Sequence, residues 1–281
     1  MRLGSHVSAA GKLFLSLDRA NAIGCQSMQI FVGNPRSWKP ANLDLRDIDE
    51  FIKRKKKYDI RPIAIHLPYL VNLCSPKDDL REKSINTVLA NLKSANEIEV
   101  EYVVTHFGSH LGKGEASGIK AIEKSLKTIL AEPFGHSKLL LENTSGAGYS
   151  LGYRIDDFAK VFDFFKGDDR LGLCLDTAHA YAAGYDISQG KGVESLLADI
   201  DSSIGLKKLG FMHLNDSKSD LNSKRDRHEH IGKGKIGKAG FRKIINDQRL
   251  KETGGVLETP KEDRKDDEIN LNVLKSLRDS R

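Results

Sequence analysis

The segment SKLLLENTSGAG, residues 137–148, decides how the chain is read. Three leucines after Lys138 form an apolar run too short for a helix, and it stops at a carboxylate, Glu142, before a Ser/Gly-rich turn. A short, continuously apolar run bounded by turn residues is the pattern of a strand buried on both faces, as in parallel sheets. The same shape recurs five times: IAIH ends at His66, VVTH at His106, LCLD at Asp176, FMH at His213 and VLE at Glu258. With the runs near the start, the strand candidates are 2–7, 27–32, 61–66, 102–106, 138–142, 172–176, 208–214 and 255–258. Helical periodicity lies between them, at 13–23, 80–98, 121–130, 156–165, 193–204 and 241–247. This alternation predicts βα units and a parallel sheet. Eight units predict an α/β fold in which one (β/α)8 TIM barrel domain spans residues 1–281. The alternative, an open doubly wound sheet, lacks its strand-then-GxGxxG signature.

The chain has 281 residues, a length that one barrel of about 250 residues can occupy. With 39% hydrophobic residues and 25 glycines, disorder, collagen and coiled coil are excluded as descriptions of the whole chain. No uninterrupted apolar stretch approaches the ~18 residues of a membrane span, and MRLGSHVSAA lacks the apolar run of a signal peptide. A soluble, cytoplasmic protein is expected, nucleoid-associated if the source is prokaryotic, with no membrane partner. Cys25, Cys74 and Cys174 are too few and too widely spaced for a disulfide framework or a thiolate zinc ribbon. The formal net charge of +6 permits an anionic partner without requiring one. The charge-dense stretch 261–268 reads as a solvated loop.

In a parallel barrel every strand's carboxyl end opens onto one mouth. His66, His106, Glu142, Asp176, His213 and Glu258 would therefore converge there. Taken singly, each is more simply a satisfied buried polar side chain or a helix cap. Together, without a cation, they would bury like charges uncompensated. Two local pairs extend the set: Asp176 with His179 just past a strand, and Asp226 with His228 in a polar loop. Histidine and carboxylate ligands without thiolates suit zinc, with manganese or iron as substitutes. Nine candidates exceed the capacity of one ion and suggest about three.

The segments HLPYLVNL (66–73), THFGSHL (105–111), LLENTSGAG (140–148), LDTAHAYAAGYD (175–186), MHLNDSK (212–218), DRHEHIGKGKIG (226–237) and LETP (257–260) resemble the endonuclease IV family of apurinic/apyrimidinic endonucleases. The resemblance extends from Arg2 to about Pro260. It implies a trinuclear zinc site: His66, His106 and Glu142 for one ion; Glu142, Asp176, His213 and Glu258 for a second; His179, Asp226 and His228 for a third. Catalysis would then centre on Glu142, His179, Asp226, His228 and Glu258. Two neighbours depart from the family pattern: Ala178 replaces a cysteine, and Asn222 a glycine. Asparagine tolerates the left-handed conformation better than most residues, so that turn is expected to survive.

Three divalent ions against four carboxylates would leave the mouth with about two positive charges, suited to a phosphodiester. The resemblance implies a monomer acting on duplex DNA with abasic sites or blocked 3′ ends, leaving 3′-hydroxyl and 5′-deoxyribose phosphate ends. It also implies that Tyr69 and Leu70 enter the minor groove, that Arg36 fills the vacated stack, and that the baseless sugar enters the pocket. Gly232 to Lys238 matches the GxxxxGK part of a P-loop, but Ala239 stands where Ser or Thr is needed and the segment follows a polar loop. Lys233 and Lys235 are expected instead to pass close to a DNA backbone. His6 and His110 are expected to support ligands from behind, and His136 and His230 to lie on the surface. Rival readings are a barrel sugar isomerase, which would need only one or two ions, and a non-catalytic DNA-binding protein using structural zinc.

Overall fold

The computed structural model describes residues 1–39, 42–133 and 135–279. Eight strands close a barrel in which every neighbouring pair is parallel: β1 (Arg2–His6), β2 (Ser27–Ile30), β3 (Ile63–His66), β4 (Tyr102–His106), β5 (Lys138–Glu142), β6 (Leu171–Asp176), β7 (Leu209–His213) and β10 (Gly254–Leu257). The expected strands are all present, with ends moved by a residue or two. A two-stranded antiparallel ribbon, β8 (Asp216–Ser217) and β9 (His228–Glu229), stands on the loop after β7.

The outer layer is helical: α1 (Leu15–Ala22), α2 (Leu45–Tyr58), α3 (Asp78–Glu97), α4 (Glu115–Ala131), α5 (Ile155–Phe164), α6 (Thr177–Ala183), α7 (Gly190–Ile204), α8 (Gly237–Asn246) and α9 (Asp266–Ser276). Three of these were not predicted. In α2 only Phe51 is fully buried, and charged residues crowd the remaining turns. In α6 every residue but the last is buried, so no polar face alternates with an apolar one. The third is α9, whose first turn occupies Asp266 to Glu268, within the stretch read as a solvated loop. That reading is corrected: the Asp266 carboxylate accepts from the backbone of Glu262 and Asp263 at 2.8 and 2.7 Å, and the helix packs against β1.

Inside the barrel, Ala64, Val104, Leu140, Cys174, Phe211 and Val256 form a separate apolar cluster, one residue from each of six strands. Side chains two residues apart on a strand share a face. Two residues beyond these six stand His66, His106, Glu142, Asp176, His213 and Glu258. The fold thus lays a ring of ligand-type side chains directly on the apolar plug, at the strands' carboxyl ends.

Candidate metal centre

Registers between neighbouring strands continue the ring around the barrel. Glu142 is aligned with His106 across β4 and β5, and Asp176 with His213 across β6 and β7. On the two strands outside the plug, His6 aligns with Gln29. Eight polar side chains therefore face the mouth, one per strand or just past its end.

Glu142 lies at the centre. Its Oε2 is 3.1 Å from His66 Nε2 and 3.5 Å from His106 Nε2; its Oε1 is 3.0 Å from His213 Nδ1 and 3.4 Å from His179 Nδ1. One carboxylate thus faces two groups of imidazoles, one with each oxygen. Three sets bring their donor atoms within 4.8 Å of one another: His66, His106 and Glu142; Glu142, Asp176, His213 and Glu258; and Asp176, His179 and His228. Asp226, half exposed, reaches this last set from its loop, 3.1 Å from His179 Nε2 and 3.2 Å from His228 Nε2.

The imidazoles are oriented by what their other nitrogen touches. Backbone carbonyls only accept, so the proton lies on the nitrogen facing them. His66 Nδ1 donates to Leu67 O at 2.8 Å, His179 Nδ1 to Asn143 O at 2.9 Å, and His228 Nδ1 to Glu258 O at 3.0 Å. Each therefore presents Nε2 to the mouth. His213 is reversed, with Nε2 2.9 Å from Gln29 Oε1 and Nδ1 facing Glu142 and Glu258.

Electrostatics follow from this crowding. Burial opposes ionisation of Glu142, yet the imidazoles of His213 and His106 outweigh it and hold the carboxyl well below its usual range. Glu258 is lowered against burial by His213 and His6, and Asp226 against burial by His179 and His228. Burial pulls His228 down, but the Asp176 and Asp226 carboxylates push it up to about 9. His179 is raised well above its ordinary value by the Asp176, Asp226 and Glu142 carboxylates, and His213 by Cys174, Glu258 and Glu142, in both cases against burial. His106 is lowered, chiefly by burial.

The donors fit a divalent cation. His228 Nε2 is buried without a hydrogen-bond partner while facing the Asp176 and Asp226 carboxylates, a placement that an ion between them would satisfy. Nitrogen and oxygen donors without sulfur suit zinc or a neighbouring first-row metal.

Several participants were not predicted. Gln29, fully buried, donates to Glu258 Oε1 at 2.7 Å while accepting from His213. Asn143 exchanges two hydrogen bonds with the Asp176 backbone, and Asn215 holds Asp176 Oδ2 at 2.7 Å and the Glu258 amide at 2.7 Å. Only Gln29 left a signal, a long polar side chain between the apolar Met28 and Ile30 of a fully buried strand. His6 lies 3.0 Å from Glu258 Oε1. His110 does not stand behind a ligand; its Nδ1 accepts from Gly114 N at 2.9 Å within its own loop, against Tyr149. His136 is exposed, whereas His230 is partly buried and takes a 3.0 Å hydrogen bond from Asn270, which corrects its surface reading.

A cavity of about 910 Å³ opens over the ring, bounded by Tyr69, His106, Asp226 and Lys261. Tyr69 is 61% exposed and Leu70 36%. Arg36 is exposed on the adjoining loop, which is tied to the Tyr69 amide through Pro35 O at 3.1 Å. Tyr69 is not independent of the ring, because it stacks at 20° and 6.5 Å on His106. Lys233 and Lys235 are exposed, the latter 3.3 Å from Asp220. Among the described residues, no helix is long and apolar enough to cross a membrane.

Residues 17–279 match the family model described as a xylose isomerase-like TIM barrel. The chain is 43% identical to the probable endonuclease 4 of Halothermothrix orenii over 98% of this chain and 99% of that one. It superposes on the crystal structure of endonuclease IV from Thermus thermophilus with a TM-score of 0.86 at 35% identity, covering 99% of this chain and 98% of that one. D-psicose 3-epimerase from Clostridium cellulolyticum H10 shares the fold, with a TM-score of 0.67 at 13% identity over 98% of this chain and 97% of that one. With full-length identity on this scale behind the ring of histidines and carboxylates, the chain belongs to the endonuclease IV family.

Proposed function

We propose that this chain is an apurinic/apyrimidinic endonuclease of DNA repair, which hydrolyses the phosphodiester 5′ to a baseless site and removes blocked 3′ ends. The observation that carries the reading is the convergence of nine histidine and carboxylate side chains in three groups, the middle one sharing Glu142 with the first and Asp176 with the last. Zinc would be held by His66, His106 and Glu142, by Glu142, Asp176, His213 and Glu258, and by His179, Asp226 and His228. Bound there, such ions supply Lewis acidity towards phosphoryl oxygens and lower the pKa of water.

The chain's own residues do the remaining work. Glu142 keeps two groups at a fixed separation by offering one oxygen to each. The carbonyls of Leu67, Asn143 and Glu258 hold three imidazoles in the tautomer that offers Nε2. Tyr69 and Leu70 enter the minor groove from the rim and Arg36 fills the vacated stack, so that the three hold a duplex open around an extruded sugar. An abasic nucleotide is selected because extrusion costs least where pairing and stacking are already lost. Lys233 and Lys235 contact the backbone through charge alone and carry no sequence readout.

The test is incubation of the purified protein with a duplex carrying one tetrahydrofuran abasic analogue, with and without chelator. Chelator-sensitive incision 5′ to the analogue is expected. An intact duplex after exposure to metal-replete protein, or activity on a ketose sugar instead, would overturn the reading in favour of the epimerase-like barrels.

A further inference from the structure

Asp216 is a buried charge that the proposed chemistry does not use. It is fully buried three residues beyond His213, and among the described residues the donors to its carboxylate are all backbone amides. Oδ1 accepts from Ser217 N at 2.9 Å, Ile236 N at 3.0 Å and Gly237 N at 3.3 Å; Oδ2 accepts from Gly232 N at 2.8 Å and Gly234 N at 3.1 Å. Successive amides aimed into one concavity form an anion cradle of the kind that holds phosphate. Here the GKGKIG loop is wrapped around the chain's own carboxylate. Gly232 and Gly237 turn the loop at φ of 80° and 67°, and a Cβ on Gly234 would stand 2.5 Å from Asp216 Oδ1.

What this contact closes is the excursion that carries Asp226 and His228. Asp216 and Ser217 pair with Glu229 and His228 across β8 and β9, Lys218 N donates to Arg227 O at 2.9 Å, and Lys235 N returns to Ser217 O at 2.8 Å. The far end of the excursion is docked on the last turn of α6: Asn222 N on Tyr181 O at 3.2 Å, Lys224 N on Ala182 O at 3.0 Å and Lys224 Nζ on Ala183 O at 2.8 Å. The same helix carries His179 and is capped by Asp176, which accepts from His179 N at 2.8 Å. Asp226 itself is half exposed, so its place opposite His179 and His228 is set by the loop that bears it.

We propose that Asp216 is a positioning residue: by filling the amide cradle of residues 232–237 it fixes the loop that delivers Asp226 and His228 to the third group of metal ligands. The inference rests on the metal reading of that group. It also means that the loop's amides are taken, leaving only the side chains of Lys233 and Lys235 to meet a phosphate.

Asp216→Asn preserves shape and removes the charge, and Gly234→Ala disturbs the same contact from the other side. In chelated protein we expect amide exchange at 232, 234, 236 and 237, and tryptic cleavage within 218–235, to quicken at least tenfold in both variants. Exchange in the barrel strands should stay at the wild-type rate. After zinc is restored, each variant should hold one ion fewer than wild type. Unchanged exchange and cleavage, or acceleration shared equally by the barrel strands, would overturn the proposal. A wild type that binds no zinc would overturn the metal reading alone, because the exchange measurement on metal-free protein still decides the role of Asp216.

Discussion

Gln29 shows how one neutral side chain sets two side chains of the ring at once. It accepts from His213 Nε2 and donates to Glu258 Oε1, so the imidazole is left to offer Nδ1 and the carboxylate is turned towards it. A neutral amide does this without adding a charge to a mouth that already holds four carboxylates. Gln29→Ala would leave the buried His213 N–H without its partner, a loss of about 1–3 kcal/mol, would leave Glu258 Oε1 with His6 alone, and would free His213 to rotate. Second partners of metal ligands are generally worth about 10–100-fold in metal affinity. We expect a zinc-competition titration of Gln29→Ala to show a loss in that range, and wild-type affinity would mean that His213 is oriented by packing alone. Asn222 is a residue-scale test of another kind. Its φ of 58° is left-handed, and the loop turn is kept although no glycine stands there. Asn222→Ala should cost about 1 kcal/mol in a denaturant titration, and Asn222→Gly little or nothing.

At the scale of elements, six of the eight barrel strands carry the same two-step message: an apolar residue in the plug and, two positions on, a ligand-type side chain at the mouth. That message is legible because strand periodicity is short-range; Leu140 and Glu142, or Phe211 and His213, lie within a few residues of each other. The supporting contacts are not legible in this way. Asn143 and Asn215 reach partners on other strands, and nothing in their own neighbourhood marks them. Helix α6 was missed because burial on all sides erases the periodicity by which helices are recognised. The GKGKIG segment advertises free amides, but the sequence does not say that Asp216 occupies them. The rim loops carry an element-scale prediction. Arg36 and Leu70 are exposed on the loops after β2 and β3, whereas Tyr69 stacks on His106, so only the first two can be truncated without touching the ring. We expect Arg36→Ala with Leu70→Ala to slow incision of an internal abasic site in duplex DNA at least tenfold. Hydrolysis of bis(p-nitrophenyl) phosphate should stay within about twofold of wild type. Equal losses in both assays, with metal content intact, would rule out the wedge role.

For the molecule as a whole, the ring creates an opposition between protons and metal. Without metal, Glu142, Asp176, Asp226 and Glu258 converge in a largely buried mouth, and the cations opposing them include the protonated imidazoles of His179, His213 and His228. All three are raised above their ordinary value, His228 to about 9. A group whose folded-state pKa is raised contributes stability that is fully present below its unfolded value, about 6.5, and is lost as pH rises through the folded value. Metal-free protein should therefore lose stability from about pH 6.5 to 9 and above, by on the order of a few kcal/mol in total. Metal acts in the opposite sense. Neutral imidazoles are required as ligands, so affinity rises over the same interval, and at fixed free zinc the folded state gains more from binding. We expect melting temperatures of zinc-loaded and chelated protein to diverge as pH is raised from 6 to 9, with proton release on zinc addition at pH 7. Parallel melting curves and no proton release would mean that the three imidazoles are already neutral in the empty mouth. Some other cation would then have to hold the four carboxylates together, and the raised imidazoles could not be the reason that the barrel tolerates them.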